Sequence, residues 1–219
     1  MVEFKITEES IIKIDEIIKH MDGSSFHNHY HIIYDIITSI DNDNITYMEI
    51  GSYAGASISL MSSHPKVKNS YSLDIGNPIP KEIPIKNVNR FKNEKCDYLY
   101  IEGNSMSNQT IDKVKSINPQ VDVLFIDGNH SRNAVISDFN NYKSLIKSGG
   151  YIIFDDYMDY KHSPEVKPAV DFIVNNLPPN EYEIIGSLVY DLLIKTNRPN
   201  IKQSNVFILR KKIKIWYIG

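Results

Sequence analysis

The chain has 219 residues, with 24 Lys and Arg against 27 Asp and Glu for a net charge of −3. That balance gives no basic footprint for nucleic acid, and no apolar run approaches the ~20 residues a membrane span requires. The single cysteine, Cys96, excludes an internal disulfide and fits a reducing, cytoplasmic compartment, and residues 1–10 lack the apolar core of a signal peptide.

At this length the chain suits one α/β domain with a helical extension. Residues 6–40 read as helical: Ile11, Ile12, Ile14, Ile17 and Ile18 form one apolar stripe, and Ile32, Ile33, Ile36, Ile37 and Ile40 another. Residues 21–25 break them, with Ser24 or Ser25 able to cap the second helix. A further break at residues 41–44 sets residues 1–44 apart as an N-terminal helical extension, leaving 45–219 as the sheet domain. From there strands and helices alternate, the signature of a parallel sheet covered on both faces. Strands are predicted over residues 45–50, 70–74, 98–102, 121–126, 151–154, 182–185 and 206–213. Helices are predicted after Gly55 to about Ser63, over 86–93, 107–117 and 166–176, and between Val135 and Ile146, where Gly149-Gly150 closes the helix. Residues 156–164 and 195–203 read as loops.

Two stretches concentrate the chemistry. Val121, Val123, Leu124, Phe125 and Ile126 form an apolar run suited to a strand buried on both faces, ending abruptly in Asp127-Gly128-Asn129-His130. A second run, Tyr151-Ile152-Ile153-Phe154, ends in Asp155-Asp156. The helix between them makes a strand–helix–strand unit, so the strands are parallel neighbours with their carboxyl ends side by side. Asp127, Asp155 and Asp156 then converge on the rim where open α/β sheets bind ligands. Three gathered carboxylates call for a hard divalent cation such as Mg²⁺. The other stretch runs Tyr47-Met48-Glu49-Ile50-Gly51-Ser52-Tyr53-Ala54-Gly55-Ala56-Ser57 and puts two glycines at a strand-to-helix turn. There the backbone can approach a ligand at a helix N-terminus. The Gly-x-x-x-Gly spacing is not that of a dinucleotide clamp, which argues against a nicotinamide or flavin cofactor. Asp74 ends the second strand, placed to accept hydrogen bonds from ribose hydroxyls, and Gly103-Asn104-Ser105 forms a third turn on the same rim.

Glu-Ile-Gly-Ser-Tyr-x-Gly, Ile-Asp-Gly-x-His and Gly-Gly-Tyr-Ile-Ile-Phe-Asp-Asp-Tyr follow one another in this order. Over roughly residues 47–212 the chain resembles the class I S-adenosylmethionine-dependent methyltransferases. It is most similar to the metal-dependent O-methyltransferases: catechol O-methyltransferase, and the enzymes that methylate sugar hydroxyls on macrolide and aminocoumarin antibiotics. The resemblance implies an α/β, Rossmann-like sheet of seven strands, the last antiparallel, with helices on both faces and N-terminal helices over the acceptor side. It implies S-adenosylmethionine held by Glu49, Gly51, Ser52, Tyr53, Gly55, Ser57, Asp74, Gly103, Ser105 and Asp127. Gly51, Tyr53 and Ser57 would line the methionine end with Glu49 bracing the turn, Asp74 would hold the ribose, and Ser105 would sit by the adenine. Asp127, Asp155 and Asp156 match the metal ligands, and His130 lies where catechol O-methyltransferase carries its lysine base. Asn129 departs from the second aspartate common in the sugar enzymes. Asparagine cannot act as a base, so proton removal falls to His130 or another group. The acceptor implied is a small molecule, a sugar hydroxyl foremost, with no nucleic-acid or membrane partner and a homodimer as the assembly to test.

The chemistry explains the residue types. An alcohol ionises near water's ~15.7 and histidine near ~6.5, a gap of about nine units, or roughly 12 kcal/mol, that histidine alone cannot supply. A bound cation lowers the pKa of a coordinated hydroxyl by several units and brings His130 within range, whereas a phenol leans less on the metal. Simpler readings stay open: Asp127 as a strand end, Asp155-Asp156 as a solvated loop start, His130 as a bystander. His27 and His31 share a helical face. With no carboxylate or cysteine pattern beside them, His27, His29 and His31 read as a helix facing the acceptor rather than a metal site. A phenolic acceptor, hydroxylase-like chemistry and a non-catalytic relative are the alternatives on this fold.

Overall fold

The computed structural model describes residues 8–21, 29–187 and 205–213. The proposed cap at Ser24 or Ser25, His27, and the 195–203 loop lie outside them. Among the described residues, seven strands make one sheet: β1 (Ile45–Ile50), β2 (Val67–Asp74), β3 (Asp97–Glu102), β4 (Val121–Ile126), β5 (Ile146–Phe154), β6 (Tyr182–Ser187) and β7 (Phe207–Lys211), in the order β3-β2-β1-β4-β5-β7-β6. The first five run parallel, and β7 is antiparallel to both β5 and β6, as expected.

Strand alternation divides the core into two layers. Tyr47, Val123, Phe125, Tyr151 and Ile153 point to one face, under α1 (Glu8–Lys19), α2 (His29–Ser39), α3 (Ala56–Ser63) and α4 (Glu82–Phe91). Met48, Ile50, Leu124, Ile126, Ile152 and Phe154 point to the other, under α5 (Asn108–Ile117), α6 (Arg132–Tyr142) and α7 (Val166–Asn175). α5 starts where Ser107 Oγ accepts from Thr110 N, and it ends where Asn118 takes a left-handed conformation. No helix among the described residues is long and apolar enough to cross a membrane.

Three elements differ from the sequence expectation. β2 begins at Val67, because Asn69 already pairs with both neighbouring strands. α4 begins at Glu82, because Pro84 falls in its first turn, where a missing N–H costs no helical hydrogen bond. Gly149-Gly150 does not close a helix. α6 stops at Tyr142, a 3-10 turn spans Lys143–Leu145, and both glycines lie within β5. A β-carbon on Gly150 would stand 2.9 Å from the carbonyl oxygen of Asp122, beside the register shift between Val121 and Val123. Glycine there permits the close approach of two strands.

The N-terminal helices belong to the same core as the sheet: Ile14, Ile17, Ile32, Ile33, Ile36 and Ile37 pack in one cluster with Tyr47 and Phe125. The strand order reverses between β1 and β4, so the crevice at their carboxyl ends is the topological switch point where α/β sheets bind ligands. Because α2 shares the core, Ile33→Ala is expected to cost about 2–5 kcal/mol in one urea transition followed by circular dichroism. A separate early transition for the N-terminal helices would contradict the shared core.

Candidate active site

A cavity of ≈ 530 Å³ opens at the switch point, walled by the ends of β1 and β2 and by the turns after β1, β2, β3 and β4. Gly51, Ser52, Tyr53, Ser57, Asp74, Gly103, Ser105 and Asp127 line it, whereas Glu49 and Gly55 do not. Gly51 sits at φ +85, and a β-carbon on it would collide with the carbonyl oxygen of Asp127. Only glycine lets the turn after β1 cross so close to β4. Gly55 instead meets α4, where a β-carbon on it would stand 2.9 Å from the Cα of Pro84. Asp74 accepts from the backbone N–H groups of Ser52 (2.7 Å), Tyr53 (3.1 Å) and Gly76 (2.8 Å). Its carboxylate therefore shapes the glycine-rich turn while retaining acceptor capacity for a ligand. Tyr142 OH donates to Ser105 O at 2.8 Å, fixing the third turn from α6.

Glu49 lies sealed behind this wall. Its Oε2 accepts from Tyr47 OH at 3.0 Å, and its Oε1 has no hydrogen-bond partner among the described residues. Burial pushes its pKa well above the carboxylate range, opposed by Ser57 and Tyr47. This buried, half-satisfied carboxyl lies behind the Gly51–Ser57 turn, where positive charge approaching the turn would offset the cost of ionising it.

On the far side of Asp127 lies the rim. β4 and β5 pair Ile126 with Phe154, and Asp155 N donates to Ile126 O at 3.0 Å, so Asp127 and Asp155 emerge side by side. The first residue of α2 meets them: His29 Nδ1 lies 3.0 Å from Asp155 Oδ1. The imidazole is set by Phe125 and Tyr30, whose ring centroids are 4.9 and 4.6 Å away. One ligand atom each from His29, Asp127 and Asp155 falls within 4.8 Å of the other two. Asp156, the third carboxylate of the motif, is turned elsewhere. At φ +55 its Oδ2 accepts from Ser163 Oγ (2.6 Å) and lies 3.3 Å from His130 Nδ1.

His130 is held from both sides. Ser163 Oγ gives its proton to Asp156, so it accepts from His130 Nδ1 at 2.8 Å, and this network assigns the Nδ1–H tautomer. Nε2 then carries the lone pair in the neutral ring and faces Asp127 Oδ1 at 3.3 Å. Burial, followed by the Asp155 charge, pushes the Asp127 carboxyl up to about 7, against the pull of His130 and His29. The hydrogen bond to Asp127 raises the His130 pKa despite its burial, with Asp127, Asp156 and Asp155 adding charge. Burial opposes charge on His29, but Asp155 outweighs it with help from Asp127 and Asp156, and its pKa is raised. Two members of this group were not assigned to it from the sequence, where His29 reads as part of a helix facing the acceptor. His29 is 126 positions from Asp155, and Ser163 sits in an otherwise unmarked loop.

The crowding has a measurable consequence. A carboxyl raised to about 7 in the folded chain loses stability as pH climbs from its unfolded value near 3.9, and the loss is complete above 7. Asp127→Asn should therefore raise the melting temperature of the metal-free protein, and by more at pH 8 than at pH 6. A gain that does not grow with pH would contradict the repulsion.

Residues 48–157 match the family model described as a methyltransferase domain. An uncharacterized protein of Acanthamoeba polyphaga mimivirus is 36% identical over 177 residues, covering 77% of this chain and 79% of that protein. Two of the solved structures that share the fold illustrate it. The O-methyltransferase from Bacillus cereus in complex with S-adenosylhomocysteine has a TM-score of 0.59 at 13% identity, covering 94% of this chain and 92% of that one. The MycE methyltransferase of the mycinamycin pathway, in complex with Mg, S-adenosylhomocysteine and mycinamycin VI, has a TM-score of 0.60 at 16% identity. It matches 93% of this chain, which spans only 57% of that one. The chain belongs to the methyltransferase-domain family, and its sheet is the class I, S-adenosylmethionine-dependent methyltransferase fold.

Proposed function

We propose that this methyltransferase moves the methyl group of S-adenosylmethionine to a hydroxyl of a small molecule, a sugar or glycan foremost, with a divalent cation at the rim. The observation that carries the reading is the double position of Asp127. It lines the ≈ 530 Å³ cavity and also belongs to the His29–Asp155 group, with His130 Nε2 3.3 Å from its carboxylate. The mycinamycin methyltransferase, solved with Mg and its macrolide, supports the reading at the level of fold.

The residues fit both groups. The Gly51–Ser57 turn and the N-terminus of α3 would take the methionine carboxylate, and buried Glu49 would compensate the amino group. Asp74 would accept from the ribose, and the turn bearing Gly103 and Ser105 would face the adenine. Asp127 and Asp155 are hard oxygen donors suited to a divalent cation, with Asp156 beside them in the motif. When bound, the cofactor supplies an electrophilic methyl on a sulfonium, and the cation supplies the charge that makes a nearby hydroxyl acidic. His130 does the proton work. Ser163 and Asp156 hold its Nδ1–H, so Nε2 would be left to accept the proton of an acceptor hydroxyl. α2 and the 156–164 turn flank this rim and would wall the acceptor.

Calorimetry with S-adenosylhomocysteine tests the first step. The wild type should bind, and Asp74→Ala should weaken binding by about 10- to 150-fold, the worth of one charge-assisted hydrogen bond. Absence of binding by the wild type would sink the cofactor assignment. In steady-state assays His130→Ala should lower kcat by about 10²–10⁴-fold with S-adenosylhomocysteine affinity nearly unchanged, and EDTA should abolish transfer by the wild type. Full activity after chelation would remove the cation from the mechanism.

A further inference from the structure

We propose that His29 is a direct ligand of the rim cation. The site then offers one imidazole nitrogen beside the carboxylates of Asp127 and Asp155, and it takes a first-row transition ion such as Mn²⁺ or Co²⁺ in preference to Mg²⁺. The inference rests on the metal-dependent reading above and goes beyond it, since the sequence motif points to carboxylates alone.

Geometry is the first support. His29 Nδ1 and Asp155 Oδ1 are 3.0 Å apart. Adjacent vertices of an octahedron with bonds of about 2.1 Å are separated by about 3.0 Å. Asp127 brings an oxygen within 4.8 Å of both partners, close to the ~4.2 Å limit that two bonds of about 2.1 Å can span, so a small inward turn of its side chain completes the group. The expected third carboxylate, Asp156, is committed to Ser163 at 2.6 Å, so the third position in this group falls to His29.

Placement is the second support. His29 is buried, 6% exposed, yet it lines the cavity together with Tyr30 and Asp127. Phe125 and Tyr30 fix the plane of its ring, and the helix it begins is buried from His29 through Ile37. A ligand needs this kind of orientation before the ion arrives.

Charge and donor chemistry then select the ion. Two carboxylates and a neutral imidazole balance a divalent cation, whereas three carboxylates would leave a net negative charge in a partly buried site. An imidazole nitrogen favours first-row transition ions over Mg²⁺, least for Mn²⁺ and more for Co²⁺, while Mg²⁺ prefers oxygen ligands and retains its water.

Titrating the metal-free chain with Mn²⁺ and with Mg²⁺, in the presence of S-adenosylhomocysteine, tests the assignment without an acceptor. The wild type should bind Mn²⁺ more tightly than Mg²⁺, and pulsed EPR of bound Mn²⁺ should show coupling to a ¹⁴N nucleus. His29→Asn should lose that coupling and at least about 100-fold in Mn²⁺ affinity, more than the loss of an outer-shell partner causes. His130→Ala should keep the coupling. His29→Asp, which returns an oxygen ligand, should narrow the Mn²⁺ preference, and retained S-adenosylhomocysteine binding in each variant reports an intact fold. Mn²⁺ bound without ¹⁴N coupling in the wild type, or with coupling retained in His29→Asn, would overturn His29 as a ligand and leave the metal-dependent reading standing. If neither ion binds the wild type, both fail together.

Discussion

Two parallel strands in register cannot choose how far apart their carboxyl ends emerge. β4 and β5 pair Ile126 with Phe154, and the next residue on each is an aspartate. The ladder thereby holds two like charges a few ångströms apart, at a cost on the order of 4 kcal/mol for an effective dielectric of about 20. The neighbourhood is arranged to answer that cost. His29 arrives from α2 on one side and His130 from the turn after β4 on the other, each within 3.3 Å of a carboxylate oxygen. Such an arrangement is poor for stability and good for holding a cation, as functional clusters often are.

The same crowding ties the two halves of the site together. Asp127 is both the last wall of the cavity and the first member of the rim, and its backbone carbonyl rests against Gly51. Whatever fixes the glycine-rich turn therefore fixes the rim. Asp74 does this from β2 by accepting three backbone N–H groups, two of them from the turn itself. Glycine-rich turn and acidic rim are thus a single backbone construction, with no flexible linker between them.

Much of this was legible in the sequence, for identifiable reasons. Apolar runs that end in Asp127 and in Asp155-Asp156 mark buried parallel strands and the edge where they stop, so the sheet and the carboxylate pair could be read locally. Gly149-Gly150 misled because a glycine pair after an amphipathic run looks like a helix end. Its actual role, letting β5 press against Asp122, depends on a neighbour 28 positions earlier that no local pattern reveals. His29 was hidden for a related reason. Its spacing to His27 and His31 suggested a helix face, and its relevant partner is carried by a strand 126 residues away. Ser163 carried no signal because a serine in a turn is unremarkable until its hydroxyl is seen between Asp156 and His130. Residues that act through the strand ends could be found from sequence. Those delivered from another element could not.

The burial of α2 has a kinetic meaning. Ile32, Ile33, Ile36 and Ile37 are fully buried, and at about 1.5–3 kcal/mol for each buried side chain they anchor the helix by on the order of 6–12 kcal/mol. A segment fastened so firmly does not open and close on the timescale of turnover. His29 is accordingly scaffold rather than lid. The side chains of Tyr160, Lys161 and His162, exposed on the neighbouring turn, are the part of this surface that can change without disturbing that core.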